Sequence, residues 1–240
     1  MAQHISRKEL KKDEVRETLA HGAEAVLSHQ QATTYLLVAA ILVAAGFFGW
    51  RTYSDRQTAK ASVEMDAALK VFQAPTGSIG VPPIPGGVTY PDDKTKFTQA
   101  AEKFEDVAKK YPRTHPGQLA GYYTGLSFER LGKDTDAKQW LQRAADSGDS
   151  DFASAARFEL AQVYERTGQG DEAVKIYQQM MAKPTVLVPK PVVMLALAEH
   201  YGQKNPTEAA KLYGQIKSEY PDTPIADQAD QELALLPGKT

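Results

Sequence analysis

Residues 164–173 read YERTGQGDEA, and residues 128–137 read FERLGKDTDA. Each stretch sets an aromatic before Glu-Arg, a glycine four residues after the aromatic and an alanine nine after it, at an offset of 36. The alanine opens a second phrase. Ala137 is followed by Leu141 and Ala144, and Ala173 by Tyr177 and Met180. Ala100 is followed by Phe104, Val107 and Pro112, and Ala209 by Tyr213, Ile216 and Pro221. The four alanines lie 37, 36 and 36 residues apart. A period in the mid-thirties with two helical stretches per period points to an α-solenoid, because one helix pair cannot bury its apolar face without the next.

Each residue type in the phrase has a physical role. Ala137 and Ala173 let the second helix of a unit approach the first closely, and the large apolar residue four places on fills the space beside it. The first helix supplies Gly125 or Ala161 and then Phe128 or Tyr164 three residues later. Gly132 and Gly168 permit the left-handed turn that ends the first helix, Asp134 or Asp171 begins the second, and Pro112 and Pro221 stop it.

A second feature lies outside the repeats. Residues 32–50, ATTYLLVAAILVAAGFFGW, contain no charge over 19 positions. At ~1.5 Å per residue such a helix is roughly 28 Å long, close to the thickness of bilayer hydrocarbon. Tyr35 and Trp50 stand near its ends, where interfacial aromatics belong. A cleaved signal peptide has a shorter leader and a shorter apolar core than this, so a membrane anchor is expected. Arg7, Lys8, Lys11, Lys12 and Arg16 precede it, against Arg51, Arg56 and Lys60 after it. That bias places the N-terminus in the cytoplasm and the C-terminal part outside.

The remaining stretches are read around these two. Ser6 with Glu9 forms a capping-box pattern at the head of a helix expected over 6–30, either amphipathic or a solvated tail. The helical pattern continues after Arg51, through Ala59, Val63, Ala67 and Phe72. Residues 74–93 hold five prolines and four glycines and are expected to be a loop. The resulting organisation is a cytoplasmic segment 1–31, a transmembrane helix 32–50, a helix 51–73 leading from the membrane and a Pro/Gly-rich loop 74–93. Repeats follow over 94–221, with a capping helix and tail over 222–240.

The repeat pattern resembles the tetratricopeptide repeat, with its first-helix small residue, aromatic three on, and A-x3-F-x2-A-x4-P second helix. None of the units carries that family's early Trp, and the fourth has one residue fewer between Tyr201 and Ala209. The fold class expected is therefore all-α, an N-terminal transmembrane helix followed by an α-solenoid of tetratricopeptide-like helix pairs. The whole order, with Gly-Trp-Arg-x-aromatic at the membrane exit, resembles the YfgM family of ancillary SecYEG translocon subunits. That resemblance implies a bacterial inner-membrane protein with a periplasmic domain, bound to SecYEG, to a PpiD-like chaperone and to client polypeptides. A scaffold for another cell-envelope assembly or division complex is the alternative.

No residue set suggests catalysis. His4, His21, His29, His115 and His200 are scattered, and no cysteine is present for disulfides, thiolate metal sites or nucleophiles. GLSFE at 125–129 lacks the second glycine of a nucleophile elbow. DSGDSD at 146–151 has Asp151 where a calcium loop needs glycine, and reads as a polar turn between repeats. A net charge of −2 gives no electrostatic case for nucleic acid. No catalytic residue, cofactor or metal is expected. The tetratricopeptide resemblance implies a binding face formed by the first helices: Tyr122, Leu126 and Glu129 from the second unit, Phe158, Gln162 and Glu165 from the third, and Leu195 and Glu199 from the fourth. Aromatic, leucine and carboxylate side chains in such a face suit an extended or helical peptide. KPTVLVPKP at 183–191 is a further candidate contact, and Ala40/Ala44 and Ala45/Gly49 permit close approach of another membrane helix.

Overall fold

The computed structural model describes residues 30–77, 89–147 and 150–237. The helix expected over 6–30 and the centre of the Pro/Gly-rich stretch, 78–88, lie outside the described residues. The described chain is all-α: α1 (Gln30–Gln73), α2 (Asp93–Lys110), α3 (His115–Arg130), α4 (Asp134–Ala145), α5 (Ser150–Arg166), α6 (Gly170–Ala182), α7 (Lys190–Lys204), α8 (Pro206–Glu219) and α9 (Pro224–Leu235). Two compact units divide it, residues 1–55 and 56–240.

In the first unit the described residues, 30–55, are the N-terminal part of α1, free of charge from Ala32 to Trp50. Its aliphatic and aromatic side chains, from Tyr35 to Trp50, are exposed. It is the one described helix long and apolar enough to cross a membrane, and none of its apolar window is buried. A helix of that composition with no protein cover is compatible with lipid as its solvent.

The second unit is a solenoid of helix pairs, and its core repeats with the sequence. Ala100, Ala137, Ala173 and Ala209 are all fully buried. So, to within 2%, are Phe104, Leu141, Tyr177 and Tyr213, each four residues further on. Burying one such large side chain contributes roughly 1.5–3 kcal/mol. The first pair is completed by the end of α1: Ala61, Met65, Ala68 and Val71 share a core with Phe104, Val107 and Tyr111 of α2 and its cap. Phe72 meets Phe97 edge-on at 5.4 Å and Tyr123 of α3 at 5.4 Å. Across the insertion the backbone closes, Gly77 N–H donating to Tyr90 O at 2.7 Å and Tyr90 N–H to Pro75 O at 3.1 Å.

The turns follow from local chemistry. Gly132 and Gly168 have φ of +68° and +75°, the left-handed geometry that glycine adopts without strain. A different turn recurs between units, written Tyr-Pro-x-Thr at 111–114 and 220–223. In each, the tyrosine N–H caps the preceding helix through Val107 O or Ile216 O. The threonine hydroxyl donates to the tyrosine carbonyl, at 2.9 and 2.6 Å, while accepting from the next helix's first turn. One four-residue phrase thus ends one helix and starts another.

Gly125 shows how tight the pairing is. A Cβ there would lie 2.7 Å from Leu141 Cγ and 3.2 Å from the Leu141 backbone nitrogen, whereas at Gly121 the nearest atom, on Trp140, is 3.8 Å away. Gly125→Ala is expected to destabilise the full-length protein by about 1–3 kcal/mol through overpacking. Gly121→Ala should be neutral or stabilise by up to about 1 kcal/mol, from helix propensity. Urea denaturation followed by circular dichroism compares the two, and equal effects would contradict this packing.

Candidate protein-binding groove

Helices α5 and α7 are the first helices of successive units, and a cavity of about 570 Å³ opens between them. From α5 come Phe158, Gln162, Glu165 and Arg166, at i, i+4, i+7 and i+8. From α7 come Val192, Leu195, Ala196, Glu199 and His200, at i, i+3, i+4, i+7 and i+8. Both sets are single helical stripes. Tyr177, from the second helix α6, also lines the cavity while only 2% exposed, its ring 6.0 Å from that of Phe158. Because each stripe runs from apolar to charged along its helix, the groove is greasy at one end and polar at the other.

Two contacts join the units at the polar end. Arg166 donates to Glu129 Oε1 at 3.0 Å and to Asp134 Oδ1 at 2.8 Å, both in the preceding unit. His200 Nδ1–H donates to Glu165 Oε2 at 2.8 Å, with Oε1 2.7 Å away. The His200 side chain is 5% exposed, and a Cβ on Gly170 would sit 2.5 Å from its Cε1, so a glycine makes room for the ring. Arg166 is half exposed, so its pairs contribute ~1 kcal/mol or less. They fix side-chain positions more than they hold the fold.

Among the described residues, Glu199 and Glu159 form no ion pair. Among the charged groups acting on Glu199 there is Glu232 and no cation. Partial enclosure of its carboxyl, and then the Glu232 charge, push its pKa up, although the residue as a whole is exposed. Glu159, half-buried on α5, is pushed up by burial and by Glu129, against the pull of Arg130 and Arg166. The tyrosines beneath register the same field. Tyr177 is raised by burial and then by Glu165, Glu199 and Glu159, and Tyr213 is pushed up to about 12 by burial, Glu199 and Glu232.

Of the eight residues the sequence singles out, the cavity brings together Phe158, Gln162, Glu165, Leu195 and Glu199. Leu195 is also core, at 8% exposure, and Phe158 packs partly against that core. Tyr122, Leu126 and Glu129 lie on α3, away from this cavity. Tyr122 is half-buried against Leu141, Leu160 and Val163, with a hydroxyl raised by burial and by Glu159. Leu126 is half-buried, and Glu129 is engaged by Arg166. Val192, Ala196, Arg166 and His200 were not singled out. The i, i+3, i+4 spacing about Leu195 could have found the first two. In 183–189, Val188 is buried while Val186 and Leu187 are 89% and 52% exposed. The Ser154 and Thr185 hydroxyls, 2.5 Å apart, tie that connector to α5.

Comparison with known proteins agrees with this architecture. The tetratricopeptide repeat-like domain family matches residues 28–185, and the tetratricopeptide repeat matches residues 193–223. Among solved structures, the chain resembles the nearly identical tetratricopeptide-like repeats of a Podosopora anserina protein described as a kinesin light chain. The TM-score is 0.55 at 17% identity, over 75% of this chain and 86% of that one. A single-substitution variant of it matches at the same TM-score and identity, over 75% and 85%. At such identity the likeness is one of fold. No curated protein matches the chain significantly.

The raised Glu159 carboxyl gives a signed prediction. Its folded-state pKa lies above the unfolded value, so ionisation opposes folding at neutral pH, and the penalty disappears as pH falls below the unfolded value. Glu159→Gln is expected to raise Tm at pH 7, with the gap to the parent closing towards pH 4. A variant less stable than the parent at pH 7 would contradict the assignment.

Proposed function

The chain belongs to the tetratricopeptide repeat-like family, and on that premise we propose that it is a membrane-anchored subunit associated with the SecYEG translocon, linking the channel to periplasmic chaperones or emerging polypeptides. A tetratricopeptide domain is a protein–protein interaction module, and the groove between α5 and α7 is the observation that carries the binding role. Two helical stripes place Phe158, Val192 and Leu195 beside Gln162 and Glu199, so apolar burial supplies affinity and polar groups supply register. In this reading Tyr122, Leu126 and Glu129 extend the same face towards the preceding unit.

The anchor is the apolar part of α1, with the N-terminus cytoplasmic and residues beyond Arg51 periplasmic in the bacterial inner membrane. The modest excess of basic residues before the span supports that orientation. The translocon assignment rests on the resemblance of the whole order to the YfgM family. A helix–groove contact needs no cofactor and no bond chemistry, so the role is one of holding rather than turnover.

The test is affinity capture of the full-length, C-terminally tagged protein from membranes in mild detergent, read by mass spectrometry. Translocon subunits and a PpiD-like chaperone are expected to dominate. Ala196→Trp, which fills the groove, should cut chaperone recovery at least fivefold while leaving the translocon subunits, with helicity unchanged. Recovery of envelope-assembly or division proteins in their place would assign the module to another complex.

A further inference from the structure

The groove's charge is lopsided once its internal contacts are counted. Arg166, the arginine among its lining residues, is occupied by Glu129 and Asp134 at 3.0 and 2.8 Å. His200 is occupied by Glu165 at 2.7 Å. Among the described lining residues, Glu199 is the carboxylate left without an ion pair, while the exposed Lys204 ammonium stands near the His200 ring, 3.3 Å from where a Cβ on Gly170 would lie. Glu199 is exposed at the polar end of the α7 stripe, with Glu232 of α9 as its charged neighbour. Glu159 lies outside the cavity lining and is half-buried, with Arg130 and Arg166 acting on it, so it is not part of this open acidic end. The other end, at Phe158, Val192 and Leu195, is apolar.

We propose that this groove selects a cationic amphipathic polypeptide segment, seating a bulky apolar side chain against Phe158, Val192 and Leu195 and a Lys or Arg against Glu199, whose negative charge its neighbour Glu232 reinforces. The proposal rests on the protein-binding reading of the groove and adds the chemistry of the partner. Glu199 lies one helical turn from Leu195, so a ligand helix meets both when its cation stands three or four residues from its apolar anchor. A carboxylate without a cation gains more from an incoming ammonium or guanidinium than one already paired, which makes Glu199 the selective position rather than Glu165. An acidic segment would meet like charge, and repulsion of that kind enforces specificity. The exposed setting also means that salt screens the attraction.

The test uses the full chain in phosphatidylcholine nanodiscs, with empty nanodiscs as the blank. Three fluorescein-labelled helical peptides of 14 residues are titrated by anisotropy: one with Leu and Lys at i and i+4, one with Glu for each Lys, and one with Ser for each Leu. The Leu/Lys peptide is expected to bind at least tenfold more tightly than either other, and to weaken as NaCl rises from 50 to 300 mM. The conservative pair Glu199→Gln with Glu232→Gln should cost that peptide at least fivefold and flatten its salt dependence. Gln162→Trp should block it. If the Leu/Glu peptide binds as tightly, and Gln162→Trp blocks both, the groove binds but the charge selection is overturned. If Gln162→Trp blocks neither peptide, the groove reading itself fails. If the glutamine pair leaves the affinity of the Leu/Lys peptide unchanged, Glu199 and Glu232 are not the selecting groups, and the proposal fails while groove binding stands.

Discussion

The structure depends on one contact repeated four times, a buried alanine and a large side chain four residues later, packed against the first helix of the unit. Ala100 with Phe104, Ala137 with Leu141, Ala173 with Tyr177, and Ala209 with Tyr213 are each buried to within 2% exposure. The alanine sets how near two helices come, and the large residue fills what remains between them. Gly125 on α3 is the reciprocal feature, since Leu141 occupies the space where a Cβ would stand. Interiors packed to this degree do not deform continuously. The spacing between first helices of successive units is thereby set, and with it the width of the groove between α5 and α7.

The groove is a by-product of that spacing, given chemical character by the residues on its rims. First and second helices share the large buried residues, Leu160, Val163, Val193 and Met194 on the first and Leu141, Tyr177, Tyr213 and Ile216 on the second, and α5 and α7 each keep one stripe for the groove. The inter-unit contacts at its polar end, Arg166 with Glu129 and His200 with Glu165, use a hydrogen-bond donor from one unit and a carboxylate from its predecessor. They align neighbouring units, and the Arg166 contact offsets the guanidinium charge. Tyr177 does two jobs, filling the core of its own unit and forming part of the groove wall.

Most of this fold is legible in the sequence because a period is legible. Ala, large apolar and glycine at fixed offsets name the helices, their order and the left-handed turns at Gly132 and Gly168. The Tyr-Pro-x-Thr turn was half visible: its proline reads as a helix stop, but the reciprocal threonine cap emerges only when both copies are seen folded. Site residues are harder. Glu129 and Glu165 sit at equivalent positions and read as ligand-facing carboxylates, yet each meets a side-chain donor, Arg166 or His200, 37 or 35 residues later. Pairs of that separation depend on the angle between units, which a repeat period does not encode. Leu195 shows the converse problem, since one side chain serves both core and groove.

The central claim is that the stripe on α5 facing α7, rather than the outer surface of the second helices, meets the protein's partner. A photo-crosslinking amino acid placed at Gln162, in the groove, and separately at Gln179, exposed on α6, tests it in intact membranes of the native host. The account predicts a discrete protein adduct from position 162 on illumination and none from position 179. Adducts from position 179 alone, or of equal yield from both, would contradict it.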